Sequence, residues 1–168
     1  MTRYVCAVVL GLASVAAAAQ PTLGQRELAL SGSGNSSRDF DTGGVSATGE
    51  YGYYYSPQWE VGVRQSFSWS ESAEESRWNG STRIYTDYHF GSGQWRPYLG
   101  GSLGILYGND VEETLAAGPE VGIKFYVQAA AFLFAQMEYQ FFFEEANEVR
   151  NNFDDGFFQY SFGAGYNF

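Results

Sequence analysis

The last eleven residues of the chain, 158–168, alternate strictly between apolar and small polar side chains. Apolar residues occupy every second position: Phe158, Tyr160, Phe162, Ala164, Tyr166 and Phe168. Between them lie Gln159, Ser161, Gly163, Gly165 and Asn167. Because successive side chains of an extended strand point to opposite faces, the segment is predicted to be a strand with one broad apolar face and one narrow polar face. Such a strand needs apolar surroundings and a paired strand on each side, and a closed transmembrane barrel supplies both.

The same alternation recurs along the chain. It predicts seven further strands, at residues 26–34, 45–55, 59–69, 81–90, 95–107, 115–127 and 132–143. The 13 Tyr, 14 Phe and 4 Trp residues suit strand faces. Two positions depart from the pattern. Gln65 falls on the apolar side of its strand, and Pro119, which cannot donate a ladder hydrogen bond, is predicted to mark a bulge or a strand start.

The connections between these segments are unequal in length. Short turns at 56–58, 91–94 and 128–130 alternate with four longer loops. Short periplasmic turns and long external loops are typical of up-and-down transmembrane barrels. The predicted fold class is therefore all-β, an eight-stranded antiparallel up-and-down transmembrane β-barrel.

Eight charged residues of the predicted strands lie on the face opposite the rings, and no charge lies on the ring face of the seven strands after the first. The eight are Glu50, Glu60, Arg64, Arg83, Asp87, Glu120, Lys124 and Glu138. A Lys or Arg facing lipid at the bilayer midplane costs about 2 to 4 kcal/mol, so the charged face is predicted to be the interior. Alternation also fits a soluble periplasmic lipocalin-like carrier with its apolar residues inside. Glycines on the polar face, and Tyr and Trp near the strand ends, favour the membrane barrel.

The first residues are predicted to be a secretory signal peptide. Arg3 precedes an apolar run from Val5 to Val15, and small residues up to Ala19 form a cleavage region, which leaves 20–168 as the barrel domain. The apolar run is too short to cross a bilayer as a helix. Cys6, the single cysteine, lies in the removed part, so no disulfide is expected. The net charge of −10 argues against nucleic acid as a partner.

Four stretches of the sequence are typical of one protein family. They are residues 96–104 (Arg-Pro-Tyr-Leu-Gly-Gly-Ser-Leu-Gly), 118–124 (Gly-Pro-Glu-Val-Gly-Ile-Lys), 137–139 (Met-Glu-Tyr) and 165–168 (Gly-Tyr-Asn-Phe). In this order they resemble the small eight-stranded outer-membrane β-barrels of Gram-negative bacteria, the OmpA/OmpX-type barrels. The resemblance implies a place in the cell outer membrane, among its lipids and lipopolysaccharide. It also implies insertion by the barrel-assembly machinery, with Tyr166 and Phe168 in the assembly signal.

The interior charges, together with His89, are predicted to form a polar network in the lumen. An eight-stranded barrel has an interior just wide enough for side chains to fill. A turn near Ala130 is predicted to bring Lys124 close to Glu138, and Arg64 and Arg83 are predicted to reach Glu60 and Asp87. A small pore is the alternative, because acids outnumber bases inside.

His89 is the only histidine and hence the only candidate for imidazole chemistry. A lipid-modifying outer-membrane enzyme would place a histidine beside a serine and an acid near the outer rim. His89 is instead predicted to lie inside, at the periplasmic end, and no nucleophilic serine pattern surrounds it. A single histidine without cysteine also argues against zinc. No catalytic residue, cofactor or metal site is therefore expected.

The predicted external loops are acidic. Their carboxylates are Glu71, Glu74, Glu75, Asp110, Glu112, Glu113, Glu144, Glu145, Glu148, Asp154 and Asp155. They form either a solvated surface or a site for divalent cations or a basic partner, although no loop has the EF-hand spacing. The expected function is that of a monomeric, non-enzymatic integral outer-membrane barrel in envelope structure or surface interaction.

Overall fold

The computed structural model describes residues 21–36, 43–71, 76–109, 114–143 and 157–168. The predicted signal peptide and its cleavage site lie outside these residues. The acidic loop residues also lie outside them, except Glu71, which ends a strand. Within the described ranges, no helix is long and apolar enough to cross a membrane.

Eight antiparallel strands form one closed barrel. They are β1 (Arg26–Ser36), β2 (Gly43–Tyr54), β3 (Trp59–Glu71), β4 (Ser76–His89), β5 (Trp95–Gly108), β6 (Thr114–Tyr126), β7 (Ala131–Phe143) and β8 (Phe157–Asn167). Each strand pairs with the next in the chain, and β8 pairs with β1 to close the sheet. The predicted eight-stranded antiparallel barrel is confirmed.

The strand bounds agree with the sequence to within two residues except at the start of β4. That strand begins at Ser76 and not at residue 81, because the β3–β4 hairpin continues through the pairs Trp69↔Trp78 and Ser70↔Arg77. The polar residues here were predicted to be loop. A polar sequence indicates exposure to water, whereas backbone pairing continues wherever both strands remain extended.

The two ends of the barrel differ. At the turn end, short connections join β2 to β3, β4 to β5 and β6 to β7. Tyr55 N–H donates to the Trp59 carbonyl (3.2 Å), and Val127 N–H donates to the Ala131 carbonyl (2.9 Å). The chain closes at the same end, where Arg26 and Phe168 exchange backbone hydrogen bonds of 2.9 and 2.8 Å. The opposite end, where the longer connections join the strands, is the loop end.

The outside of the barrel is apolar. Leu30 and Phe162 are exposed by 65% and 66%, and the other strands likewise expose large apolar or aromatic side chains. Ring contacts cluster near the turn end, as between Trp59 and Tyr88, and near the loop end, as between Trp78 and Tyr107. A continuous apolar exterior with an aromatic belt at each edge is the surface of a membrane barrel. The lipocalin-like alternative required these rings to face an internal cavity, and the structure contradicts it.

Pro119 lies inside β6, and the prediction of a bulge or a strand start is wrong. The β5–β6 ladder continues through the pair Gly101↔Pro119. On the other side, the β6–β7 ladder omits the positions around Pro119 and resumes in the same register, with Ala117↔Phe141 and Glu120↔Glu138 flanking the gap. No residue is inserted. The missing N–H of proline therefore interrupts one ladder locally while the other ladder holds the strand.

Gln65 points outward, as its position in β3 predicts, and its polar atoms have partners. Its amide donates to the Tyr107 hydroxyl (2.8 Å), and its carbonyl accepts from the Thr82 hydroxyl (2.7 Å). Tyr107 belongs to the aromatic belt near the loop end through its contact with Trp78. An outward polar group is therefore accommodated by two neighbouring strands that satisfy it.

Candidate functional site: the polar lumen

The inward side chains of the strands fill the lumen with buried charge. Among the described residues, the buried acidic, basic and histidine side chains inside the barrel are Glu27, Glu50, Glu60, Arg64, Arg83, Asp87, His89, Arg96, Glu120, Lys124 and Glu138. The structure places all nine residues of the predicted network in this set. It adds Glu27 and Arg96, which the sequence analysis missed. Both follow the alternation, Glu27 next to outward Leu28 and Arg96 next to outward Trp95, but both lie at strand ends where the pattern is short.

Four carboxyl side chains lie in one row of the sheet. Glu60 pairs with Asp87, Asp87 with Gly100, Gly100 with Glu120, and Glu120 with Glu138. A side chain at Gly100 would collide with the Asp87 carboxyl group. The glycine thereby leaves room for the Asp87 carboxyl group within the row. Like charges in such a row repel each other, so cations from other rows must offset them.

Arg64 is the main cation of this region. Its guanidinium lies 2.7 Å from Glu120, 3.1 Å from Glu50 and 3.4 Å from Glu138. These carboxylates belong to β6, β2 and β7, so the side chain of a β3 residue reaches across the lumen to the facing wall. The guanidinium also donates to Gln136 (3.2 Å) and lies over the Tyr85 ring (4.8 Å).

Arg83 is the cross-strand neighbour of Arg64, and a shared carboxylate offsets their repulsion. Arg83 Nη1 lies 2.6 Å from Glu138 Oε2, the same oxygen that faces Arg64. Ser102 donates a hydrogen bond to the other Glu138 oxygen. Arg64 and Arg83 were predicted to reach Glu60 and Asp87. Their ion pairs among the described residues are instead with Glu50, Glu120 and Glu138.

Lys124 forms a second cluster nearer the turn end. Its ammonium lies 2.6 Å from Glu27 and 2.8 Å from Glu60, and it donates to the Tyr54 hydroxyl at 3.0 Å. The Tyr54 hydroxyl donates in turn to Glu27 (2.8 Å). A lysine on β6 thereby joins β1, β2 and β3.

The predicted contact of Lys124 with Glu138 does not occur. Opposite Lys124 stands Phe134, and opposite Glu138 stands Glu120. The pairing is symmetric about residue 129. A turn centred at residue 130 would pair Lys124 with Gln136 and leave Glu138 diagonal to it, because moving the centre of a hairpin by one residue moves each partner by two. Lys124 therefore turns away from β7 toward Glu27 and Glu60.

His89 and Arg96 lie at the turn end of the lumen. The His89 ring is fully buried between the rings of Tyr54 (5.5 Å) and Tyr98 (5.2 Å), and its Nε2 lies 3.6 Å from Glu60. Neither ring nitrogen has a hydrogen-bond partner among the described residues. The Arg96 guanidinium donates to the Pro57 carbonyl (2.7 Å), and His89 N–H donates to the Gln58 carbonyl (2.7 Å). Both residues hold the β2–β3 turn against the barrel.

Aromatic rings occupy the rest of this half of the lumen. Tyr126, Phe132 and Phe134 form a buried cluster with Ala29. Phe132 stands opposite Gly165, and its ring occupies the space that a side chain there would need. The sequence predicts small residues in a crowded interior but not these inward rings, which lie on the polar faces of β6 and β7.

Free space in the lumen differs between its two ends. A small space bounded by Glu27, Glu50, Asp87 and Lys124 has no room for a water molecule. Toward the loop end, a cavity of about 280 Å³ is lined by hydroxyl and amide side chains such as Ser66, Ser81 and Gln140. Within the part of the chain that the structure describes, no group of three or more His, Cys, Asp or Glu residues is arranged to hold a metal ion.

Known structures share this architecture. The chain is similar to the N-terminal β-barrel domain of Pseudomonas aeruginosa OprF, with a TM-score of 0.58 and 19% identity over 88% of this chain and 100% of that one. It is also similar to the outer membrane protein OprG of the same organism (TM-score 0.58, 11% identity, 88% and 97% coverage). A third similar structure is the outer membrane protein Ail of Yersinia pestis (TM-score 0.56, 16% identity, 86% and 99% coverage).

The fold is that of a small outer-membrane β-barrel. This confirms the fold that the family resemblance implied, and it agrees with the predicted outer-membrane location. No family model matches the sequence, and no curated protein matches it. At these identities the likeness concerns the fold, so the role of this outer-membrane barrel must be argued from its own side chains.

Proposed function

We propose that this chain is a non-enzymatic integral outer-membrane β-barrel whose lumen is closed by its own side chains, and that it contributes to envelope structure or surface interaction. The observation that supports the closed lumen is the Arg64 cluster, which joins β3 to three other strands by ion pairs across the interior. The Lys124 cluster adds a second closure nearer the turn end.

Both clusters oppose the passage of ions. A hydrated ion would have to separate buried partners, and leaving one partner of a buried pair uncompensated costs about 3 to 5 kcal/mol. The space between the two clusters is too small for water. These observations favour a structural lumen over the small pore.

Planar-bilayer recording tests this proposal. We expect the refolded protein to insert without producing a stable ohmic conductance, because two buried charge clusters lie in series along the lumen. A large porin with an aqueous channel, recorded in the same bilayer, controls for the sensitivity of the measurement. A reproducible conductance step from the wild-type barrel would reject the closed lumen.

The surroundings of His89 support the absence of catalysis. The imidazole is enclosed by two tyrosine rings at the turn end, and the nearest ionisable partner is Glu60. A nucleophile must lie within hydrogen-bond reach of its base and be accessible to substrate. The polar residues of this barrel are accordingly assigned to structure, and no cofactor is invoked.

The proposal includes lipid and lipopolysaccharide around a monomeric barrel and insertion by the barrel-assembly machinery. Phe168 and Tyr166 project their rings outward at the turn end, and each is 55% exposed. The Phe168 backbone pairs with Arg26, whereas its ring has no role in that pairing. The ring is therefore available for recognition before the barrel closes.

Phe168→Ala separates assembly from stability. We expect the variant to insert more slowly than the wild type when the assembly complex is present. The unfolding free energy of the folded barrel should fall by about 1.5 to 3 kcal/mol at most, the value of one large apolar side chain. Insertion into vesicles with and without the complex, followed by urea unfolding, measures both quantities. Phe162→Ala, on the same face of β8, is the control, and equal assisted insertion of the two variants would reject a special role for Phe168.

A further inference from the structure

A groove of about 850 Å³ lies on the outer surface of the barrel, between Tyr51 on β2 and Phe141 on β7. Outward side chains that line it include Val61, Thr86, Gly101, Leu103, Pro119 and Phe141. It opens on the lipid-facing side of the wall, and the inward residues Tyr85 and Ser102 also line it.

The groove follows from a row of short outward residues. Val61 pairs with Thr86, Thr86 with Gly101, and Gly101 with Pro119, so these residues form one line across four strands. The neighbouring row contains the larger Ile84 and Leu103, which are cross-strand partners. Longer side chains thus border the row of short residues, and at Gly101 in this row no side chain covers the backbone of β5.

Only two of the outward side chains that line the groove carry a hydrogen-bonding group. The Thr86 hydroxyl donates to the Glu60 carbonyl (3.1 Å) and is thereby satisfied within the wall. The Tyr51 hydroxyl is the other, and the remaining outward lining residues carry hydrocarbon side chains or none. A lipid headgroup or a peptide backbone would leave polar atoms unpaired here, whereas a hydrocarbon chain would lose nothing.

The position of the groove also indicates its occupant. Trp59 and Trp69 mark the two aromatic belts on β3, and ten residues at about 3.4 Å each, tilted by about 40°, span roughly 25 Å of membrane. Val61 lies between them, so the groove lies within the hydrocarbon layer and is continuous with the lipid-facing surface.

We propose that this groove binds one hydrocarbon chain of an outer-membrane lipid and retains that lipid on the barrel. The proposal rests on the membrane insertion included in the proposed function, and it does not depend on the closed lumen. The hydrocarbon chain of the lipid lies along the row from Val61 to Pro119. Gly101 in this row has no side chain, so the lipid chain can reach the backbone there.

Filling the groove tests the proposal. Ala117 lines it and points outward, so Ala117→Phe should occupy the space without touching the lumen. Ala164→Phe is the matched control, because Ala164 also points outward but lies on β8, away from the groove. Each protein is refolded into nanodiscs of phosphatidylethanolamine and phosphatidylglycerol, transferred to detergent, and examined by native mass spectrometry for bound phospholipid.

We expect the wild type and Ala164→Phe to retain one phospholipid and the retained fraction to fall about tenfold in Ala117→Phe, a change of about 1.4 kcal/mol. Heat-modifiable migration verifies folding. Gly101→Leu serves as a second filling variant if the first does not fold. Equal retention by wild type and filling variants, or none by the wild type, would overturn the proposal. So would a dimer that the filling variants abolish, since it would assign the groove to a second copy. Failure of the wild type to enter nanodiscs would instead reject the proposed function.

Discussion

Replacing Arg64 with methionine is expected to lower the free energy of unfolding by about 3 to 5 kcal/mol, because it leaves buried carboxylates without their cation. Glu50, Glu120 and Glu138 all lie within 3.4 Å of the guanidinium. Methionine keeps much of the side-chain volume, so the loss reports charge and hydrogen bonding more than packing. Reversible urea unfolding in lipid vesicles, followed by tryptophan fluorescence, measures the change.

Arg26→Met provides the control for the loss of an arginine as such. Arg26 is exposed at the start of β1, and its pairing with Phe168 uses only backbone atoms. We expect this variant to lie within about 0.5 kcal/mol of the wild type, as surface substitutions generally do. If Arg64→Met were no more destabilising than Arg26→Met, the Arg64 cluster would not be what stabilises the lumen.

Replacing Lys124 with methionine is expected to cost a similar amount, about 3 to 5 kcal/mol, for the same reason. The Lys124 ammonium lies 2.6 Å from Glu27 and 2.8 Å from Glu60. When it is removed, its positive charge no longer offsets the repulsion between these two carboxylates. The same unfolding titration applies, and the double variant with Arg64→Met should show whether the two clusters act independently.

A compensating change makes this second prediction sharper. Glu27→Gln removes one of the two carboxylates while preserving the shape and the ability to accept from Tyr54. In the background of Lys124→Met we expect it to recover at least about 1 kcal/mol, whereas in the wild type it should destabilise. If Glu27→Gln lowered the free energy of unfolding equally in the wild type and in Lys124→Met, the two residues would not be coupled, contrary to their contact.

The apolar face of β8 shows how far the amino-acid pattern leads. Phe158 to Phe168 alternate with a period of two, and only a paired strand with one face in an apolar medium uses that period. The same reasoning applied to the other strands places Glu60, Arg64 and Lys124 inside, where the structure has them. Which face a side chain occupies is a local property of the strand, so the sequence suffices to predict it.

Partners across the lumen are not a local property. Lys124 meets Glu27, on a strand that begins the chain, only because β8 closes on β1 and because the β6–β7 turn is centred at residue 129. A shift of one residue in that turn exchanges the partners of every residue in the hairpin, and no feature of residues 127–130 predicts it. The alternation in the sequence therefore predicts the barrel, its apolar exterior and most of the residues inside it. Barrel closure and strand register then select which charges neutralise one another, because those contacts join residues far apart in the chain.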